Sequence, residues 1–310
     1  MLLGAQRFDP SLGAAVQKLR VSGRIATITA GWQELEGEDE ELSAHLGGDT
    51  VNLTLHARGE EVFRADPELR HAHRERQDWL RHRQDFYRIR LEHELAAALV
   101  IQKRVAPPEL AAEQSDQSIR AVQALDAGHL ANCVRLHDEF EKQWALAERP
   151  SVAKHRAEIA GLLEGCAAVA IAGGHVASLI NRLTLFGLGP LLKGKTVFAW
   201  SGGAMAISER IVLFHDDPPQ GPGVSEVLDA GLGLVPGVVV FPQPEQRLHL
   251  NRTDRIAWLV RRFSPARSLA LPARSRITWS DGQLSSAEGV IELRADGSNG
   301  PFEPAEGAAR

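Results

Sequence analysis

At 310 residues the chain has the length of two average domains, or of one large α/β domain carrying an insertion. Apolar residues make up 44% of it, enough for a full core, and Cys133 and Cys166 are too few for a disulfide scaffold or a structural zinc site. The formal net charge of −5, with acids interleaved among the bases, argues against a nucleic-acid binder held by phosphate contacts.

No run approaches the length of about eighteen apolar residues that would span a bilayer. The first ten residues lack a basic segment followed by an apolar one, so no secretory signal is read there. The expectation is a cytoplasmic protein without a membrane segment.

Residues 24–30 are rich in β-branched side chains and end at Gly31, as a buried parallel strand does. An acidic run from Glu34 to Glu41 leads into Leu42 and Leu46 and reads as a short helix. Gly47-Gly48-Asp49 breaks it, and residues 51–55 read as a second strand. Strand, helix and strand within about thirty residues predict a βαβ unit and a parallel sheet covered on both faces.

The strand pattern then stops. From Pro67 to Arg104, apolar residues from Leu69 and Ala72 through Trp79, Phe86 and Tyr87 to Leu99 recur at helical spacings, and Pro107-Pro108 ends the run. A second helical stretch is expected over about 118–147, with an interruption near Asp126-Ala127-Gly128. Together they predict a helical hairpin inserted over 67–150, a candidate dimer surface. Its arginines from Arg70 to Arg90 alternate with Glu75, Asp78, Asp85 and Glu92, which reads as a solvated ion-paired face. His71, His73, His82 and His93 do not share a metal-ligand spacing and are read as surface residues.

Alternation resumes after Pro150, dividing the α/β part into 1–66 and 151–295. Ser151 is a candidate cap for a helix through Leu163. Strands are expected at 167–172, 196–200, 211–214 and 237–241, helices at about 176–183 and 253–263. Segments 268–271, 276–279 and 290–293 would close the sheet as an antiparallel edge. The Gly, Pro and Glu content of 296–310 predicts a disordered tail. The fold class is therefore α/β, three-layered, with a mostly parallel sheet.

Chemistry concentrates at Ala199-Trp200-Ser201-Gly202-Gly203, where an apolar strand hands over to a helix. A serine between small residues at such a junction has the form of a nucleophile elbow, which pushes the hydroxyl out at the carboxyl edge of the sheet. Alone, the segment could equally be a plain strand-to-helix turn. Gly173-Gly174 follows the preceding strand at the same edge, where backbone N–H groups can face a carbonyl oxygen held on the serine.

These residues, with Ala-Gly-Gly-His at 172–175, Lys193-Gly194-Lys195, 197–205 and the later Phe241-Pro242, Arg247-Leu248 and Asp254-Arg255, resemble the S51 peptidases. That family contains aspartyl dipeptidases and cyanophycinases on a class I glutamine-amidotransferase-like fold. The likeness covers about 165–280 and extends more weakly to the first two strands. It implies Ser201 as nucleophile, an oxyanion hole from Gly173 or Gly174 with the N–H of Gly202, and small peptides, aspartyl ones among them, as substrates. It does not account for the helical insert.

One departure matters for chemistry. Gln243 stands where the family's catalytic His aligns, and glutamine cannot accept and return a proton near neutral pH. His215, beside Asp216, and His175, in the glycine turn, are the candidate substitutes, with His249 further on. Asp216 is the candidate triad acid, while His175 and Gln243 are also candidate pocket residues. Glutamine hydrolysis is rejected, because it needs a Cys in the elbow. Two functions remain: a serine peptidase or amidase, or a degenerate homologue binding a small peptide, an amino-acid-like ligand or a partner protein. Neither implies a metal or an organic cofactor.

Overall fold

A computed structural model describes all residues except 8, 217–222, 281 and 305–310. In chain order the elements begin with β1 (Leu2–Leu3), α1 (Leu12–Lys18), β2 (Ile25–Ile28), a 3₁₀ turn (Ala30–Leu35), α2 (Glu40–His45), β3 (Thr50–Asn52) and α3 (Leu55–Ala65). The hairpin follows as α4 (Pro67–Gln102) and α5 (Pro108–Trp144). Then come α6 (Pro150–Glu164), β4 (Ala168–Ile171), α7 (Val176–Leu185), α8 (Leu188–Leu192), β5 (Thr196–Trp200) and α9 (Gly202–Ile207). The chain continues with β6 (Arg210–Leu213), β7 (Glu226–Ala230), β8 (Val238–Pro242), α10 (Pro244–Arg247) and α11 (Thr253–Phe263). It closes with β9 (Arg267–Leu271), β10 (Arg276–Ser280), β11 (Gln283–Glu288), β12 (Ile291–Leu293) and β13 (Asn299–Pro301).

The protein is α/β with a mostly parallel central sheet. Seven strands lie in the order β11-β10-β1-β5-β4-β2-β3, parallel from β1 to β3, with the β10–β11 hairpin antiparallel along one edge. Strand alternation sorts the core onto two faces. Leu3, Ile25, Ala168, Ala170 and Phe198 pack with α1 and α2 through Leu12, Val16 and Leu42. Leu2, Ala26, Ile28, Val169, Ile171 and Ala199 pack on the other side against α3, α6 and α7. A sheet buried on both faces explains why its strands read as unbroken apolar runs.

The last third departs from the expected single sheet. Only β10 and β11 form the antiparallel edge. Segments 268–271 and 290–293 belong instead to a second sheet of order β13-β12-β9-β8, in which β8 and β9 run parallel. β6 pairs antiparallel with β7 in a separate ribbon. The expected tail is ordered further than its composition suggests, because β13 pairs with β12 and Phe302 is buried. Residues 305–310 of that tail lie outside the described residues.

Other boundaries move for local reasons. The acidic run does not form one helix: it is shared between the end of the 3₁₀ turn, which kinks at Gln33 (φ 59°, ψ −121°), and the start of α2 at Glu40. Residues 51–55 split because Thr54 turns left-handed (φ 47°) and Leu55 starts α3. α6 begins at Pro150, and Ser151 does not cap it. Its hydroxyl donates to Asp66 Oδ2 at 3.1 Å.

The hairpin is present, and α5 starts ten residues earlier than expected and runs through Gly128 without a break. Asp126, which suggested the interruption, is buried and accepts from Arg262 Nε (2.7 Å) and Nη2 (2.8 Å) and from Tyr87 Oη (2.8 Å). Tyr87 in turn accepts from Val227 N at 3.1 Å, and Arg262 Nη1 donates to Ser225 O at 2.6 Å. This network fastens α4 and α5 to β7 and α11. Burial pushes the Tyr87 phenol up, so it serves as a neutral donor.

His73 is not a surface residue. It is buried against Phe63, with ring centroids 4.7 Å apart, and burial pushes its pKa down to about 3. Arg76 is also buried, 4.2 Å over the Phe140 ring, so the arginine face of α4 is not wholly solvated. Trp79, Phe86 and Leu99, by contrast, point outward.

Candidate functional site

β2, β4 and β5 are adjacent parallel strands, so the loops after them meet at one edge of the sheet. After β5 the chain must enter α9 at once, and Ser201 takes φ 50° and ψ −124° to do so. A non-glycine residue with positive φ stores roughly 1–3 kcal/mol of strain, and such residues cluster at functional sites. The flanking glycines are required by contact. A Cβ on Gly203 would lie 2.4 Å from Ile171 O, and one on Gly173 would lie 2.7 Å from Ser201 Cβ.

The glycine turn therefore presses directly on the serine. A Cβ on Gly173 would also lie 3.1 Å from Gly202 N, which puts the Gly173 backbone beside that amide. Gly174 (φ 106°) packs on the third loop, where a Cβ would lie 2.4 Å from Gly31 O. Gly31 is held in place by the loop that follows it. The buried Glu36 carboxylate accepts from His56 N and Ala57 N, both at 2.9 Å, tying that loop to the start of α3. α9 is only six residues long, so backbone amides rather than a long helix dipole would face charge on Ser201.

Ser201, Gly173, Gly174, Gly202 and Gln243 line one cavity of about 710 Å³. Gln243 enters it directly after β8, in the left-handed conformation (φ 55°, ψ 51°), with its N–H donating to Leu271 O at 3.2 Å. The structure thus brings Ser201 and Gln243 to the same cavity. Trp32, Trp200, Met205 and Leu213 supply apolar walls.

The other four candidates, among them the exposed His249, do not line this cavity. His175 is exposed and caps α7, its Nδ1 accepting from Ser178 N at 3.2 Å. His215 and Asp216 follow β6 and are not among the residues lining the cavity. His215 Nδ1 is buried and has no hydrogen-bond partner among the described residues. The buried Asp216 carboxylate accepts from His249 N (2.7 Å) and Arg255 Nη2 (2.6 Å), a structural assignment that occupies both oxygens. The rest of the Pro- and Gly-rich loop, 217–222, lies outside the described residues.

Four charged or titratable cavity residues carried no site signal in the sequence, and a fifth, Arg247, entered only through the S51 resemblance. Arg7 and Arg247 contribute cationic groups, Glu38 and Glu41 anionic ones, and His45 an imidazole. Glu38 and Glu41 sit inside the acidic run that reads as a short helix, and Arg7 precedes any periodic element. Cys133 is buried on α5, and burial pushes its thiol up to about 12, so it is an inert core residue. Among the described residues, no three His, Cys, Asp or Glu side chains are grouped to hold a metal ion. No described helix is long and apolar enough to cross a membrane.

The chain matches no family model, and no curated protein matches it either.

Proposed function

We propose that the cavity at Ser201 is a serine-hydrolase site of S51 ancestry, on a class I glutamine-amidotransferase-like fold, that binds small peptide- or amino-acid-like ligands in the cytoplasm with little or no turnover. The observation that carries this reading is that Gln243 shares the cavity with Ser201. The elbow conformation and the glycine turn support a hydrolase origin. A glutamine in place of the base supports loss of rate, because removing a triad member costs several orders of magnitude. Cationic Arg7 and Arg247 and anionic Glu38 and Glu41 within one cavity suit a zwitterion carrying a carboxylate and an ammonium group.

His45 favours a second reading, since it lines the same cavity. In that reading α2 supplies the base and Ser201 attacks an amide carbonyl, with the Gly173-Gly174 turn and Gly202 N facing the oxyanion.

Treatment with a fluorophosphonate, read by intact mass with Ser201→Ala as control, separates the two. The degenerate reading expects an unlabelled wild-type protein, a labelled Gln243→His variant, and a thermal shift with aspartyl dipeptides. Stoichiometric labelling of wild-type Ser201 that is abolished by His45→Ala would establish the second reading instead. A dipeptide panel without any thermal shift would remove the ligand assignment.

A further inference from the structure

The outer face of α4 carries a second apolar stripe, opposite the one that packs against α5. The inner stripe is Leu80, Gln84, Tyr87, Leu91, Leu95 and Ala98, all buried or half-buried. Outside, Trp79 (56% exposed), Phe86 (65%), Ile89 (54%) and Val100 (66%) face solvent. They fall on a heptad repeat, with Trp79, Phe86, His93 and Val100 seven residues apart and His82, Ile89 and Ala96 between them. Such a seam spans three heptads, roughly 30 Å of helix, and is what a two-stranded coiled coil buries.

The flanks of the seam identify its occupant. On one side stand Asp78, Asp85 and Glu92, all acidic and exposed, and on the other Arg90, exposed, and Arg83, half-buried with its Nε covered. In a parallel, in-register pair, an acidic flank of one helix meets the basic flank of the other five residues further on. Asp78 then faces the second copy's Arg83, and Asp85 the second copy's Arg90, twice over by symmetry. An antiparallel pair would set acid against acid and base against base. We propose that a second copy of this chain docks on this face, forming a parallel α4–α4 coiled coil.

Within one chain Asp78 pairs with Arg81, and Asp85 with Arg88 at 3.7 Å. Both pairs are exposed and contribute little, so exchanging them for intermolecular ones is easy. Glu92 meets Ala97 and adds no pair. His82 and His93 interrupt the apolar seam, and polar seam positions fix register while weakening association. The dimer is therefore concentration-dependent. The surface lies on the hairpin, away from the Ser201 cavity, and the proposal does not depend on how that cavity works.

Light scattering after gel filtration, across a micromolar concentration series, tests the proposal. The expected result is a mass rising toward twice the 33.8 kDa of the chain, and a monomer for Phe86→Glu with an unchanged thermal melt. Arg90→Glu should weaken the dimer at least tenfold, and Asp85→Arg added to it should restore the affinity. Under oxidation, Phe86→Cys should give a covalent dimer, because position 86 meets itself in a parallel pair, while Arg81→Cys should not. A wild-type protein that stays monomeric throughout, a dimer indifferent to Phe86→Glu, or charge reversals that fail to compensate would each overturn it. A monomer captured by another protein through this face would overturn it as well.

Discussion

The Ser201 edge and the docked hairpin are built by opposite means. At the edge, backbone meets backbone. Gly31, Gly173, Gly174, Gly202 and Gly203 bring three loops so close that added methyl groups would lie 2.4–3.0 Å from neighbouring atoms. In the hairpin, long polar side chains bridge the gap: Tyr87, Asp126 and Arg262 form one buried network, and Arg88–Glu226 (2.6 Å) and His137–Asp229 (2.9 Å) add to it. The first region is specified by volume and tolerates almost none. The second is specified by charge and hydrogen bonding, and should tolerate paired apolar replacement.

The largest effect should come from breaking the charge side alone. Asp126→Ala strands the Arg262 guanidinium in a buried site, and loss of one partner of such a pair costs about 3–5 kcal/mol. Urea denaturation should show that loss, while the double variant Asp126→Leu with Arg262→Met should recover most of it. A double variant no better than the single one would mean that the network fixes the hairpin in a way apolar packing cannot replace. On the volume side, Gly173→Ala should cost about 3 kcal/mol, the upper end for overpacking, because the nearest obstacle is the Ser201 Cβ on an already strained turn. It should also distort the cavity and abolish any thermal shift with ligand. A neutral Gly173→Ala would show that the turn is looser than its contacts imply.

The same contrast decides what the sequence disclosed. β5 and α11 sit where apolar pattern and glycine punctuation place them, at Thr196–Trp200 and Thr253–Phe263. Elements whose identity depends on distant partners were not legible. Leu2–Leu3 is too short to show alternation, yet it pairs with both β5 and β10 in the sheet interior. No strand was expected over Glu226–Ala230, whose Glu226 and Asp229 are there to meet Arg88 and His137. At the site, Ser201 and its glycines were readable because local spacing dictates the turn, whereas Gln243 was singled out only through the S51 resemblance. Arg7, Glu38, Glu41 and His45 were not readable, since nothing local links them to β5. The two stripes of α4 merge into one list of apolar positions in sequence, and only burial separates the core stripe from the outer seam.

His73 sharpens the contrast through pH. Its folded pKa of about 3 lies below the ordinary 6.5, so the unfolded chain binds the proton first as pH falls. The stability it preserves is fully present above pH 6.5 and is lost progressively as pH drops toward 3, by about 1.4 kcal/mol per unit. Between pH 6.5 and 5 that amounts to about 2 kcal/mol, and His129 and His155, also pushed down by burial, act in the same direction. His73→Leu should flatten this part of the profile in urea melts. A variant with the wild-type slope would assign the acid sensitivity elsewhere.

The smallest effect carries the opposite sign. Ser201 holds positive φ with a Cβ that glycine lacks, so Ser201→Gly should relieve strain and stabilise the fold by about 1 kcal/mol. That gain is measurable as a raised urea midpoint with an unchanged slope. If the turn were an ordinary connection, such strain would serve nothing, whereas a site that presents a hydroxyl retains it at the expense of stability. Ser201→Gly that destabilises would mean that the Ser201 hydroxyl has a structural partner, and would count against the elbow as a site inherited from catalysis.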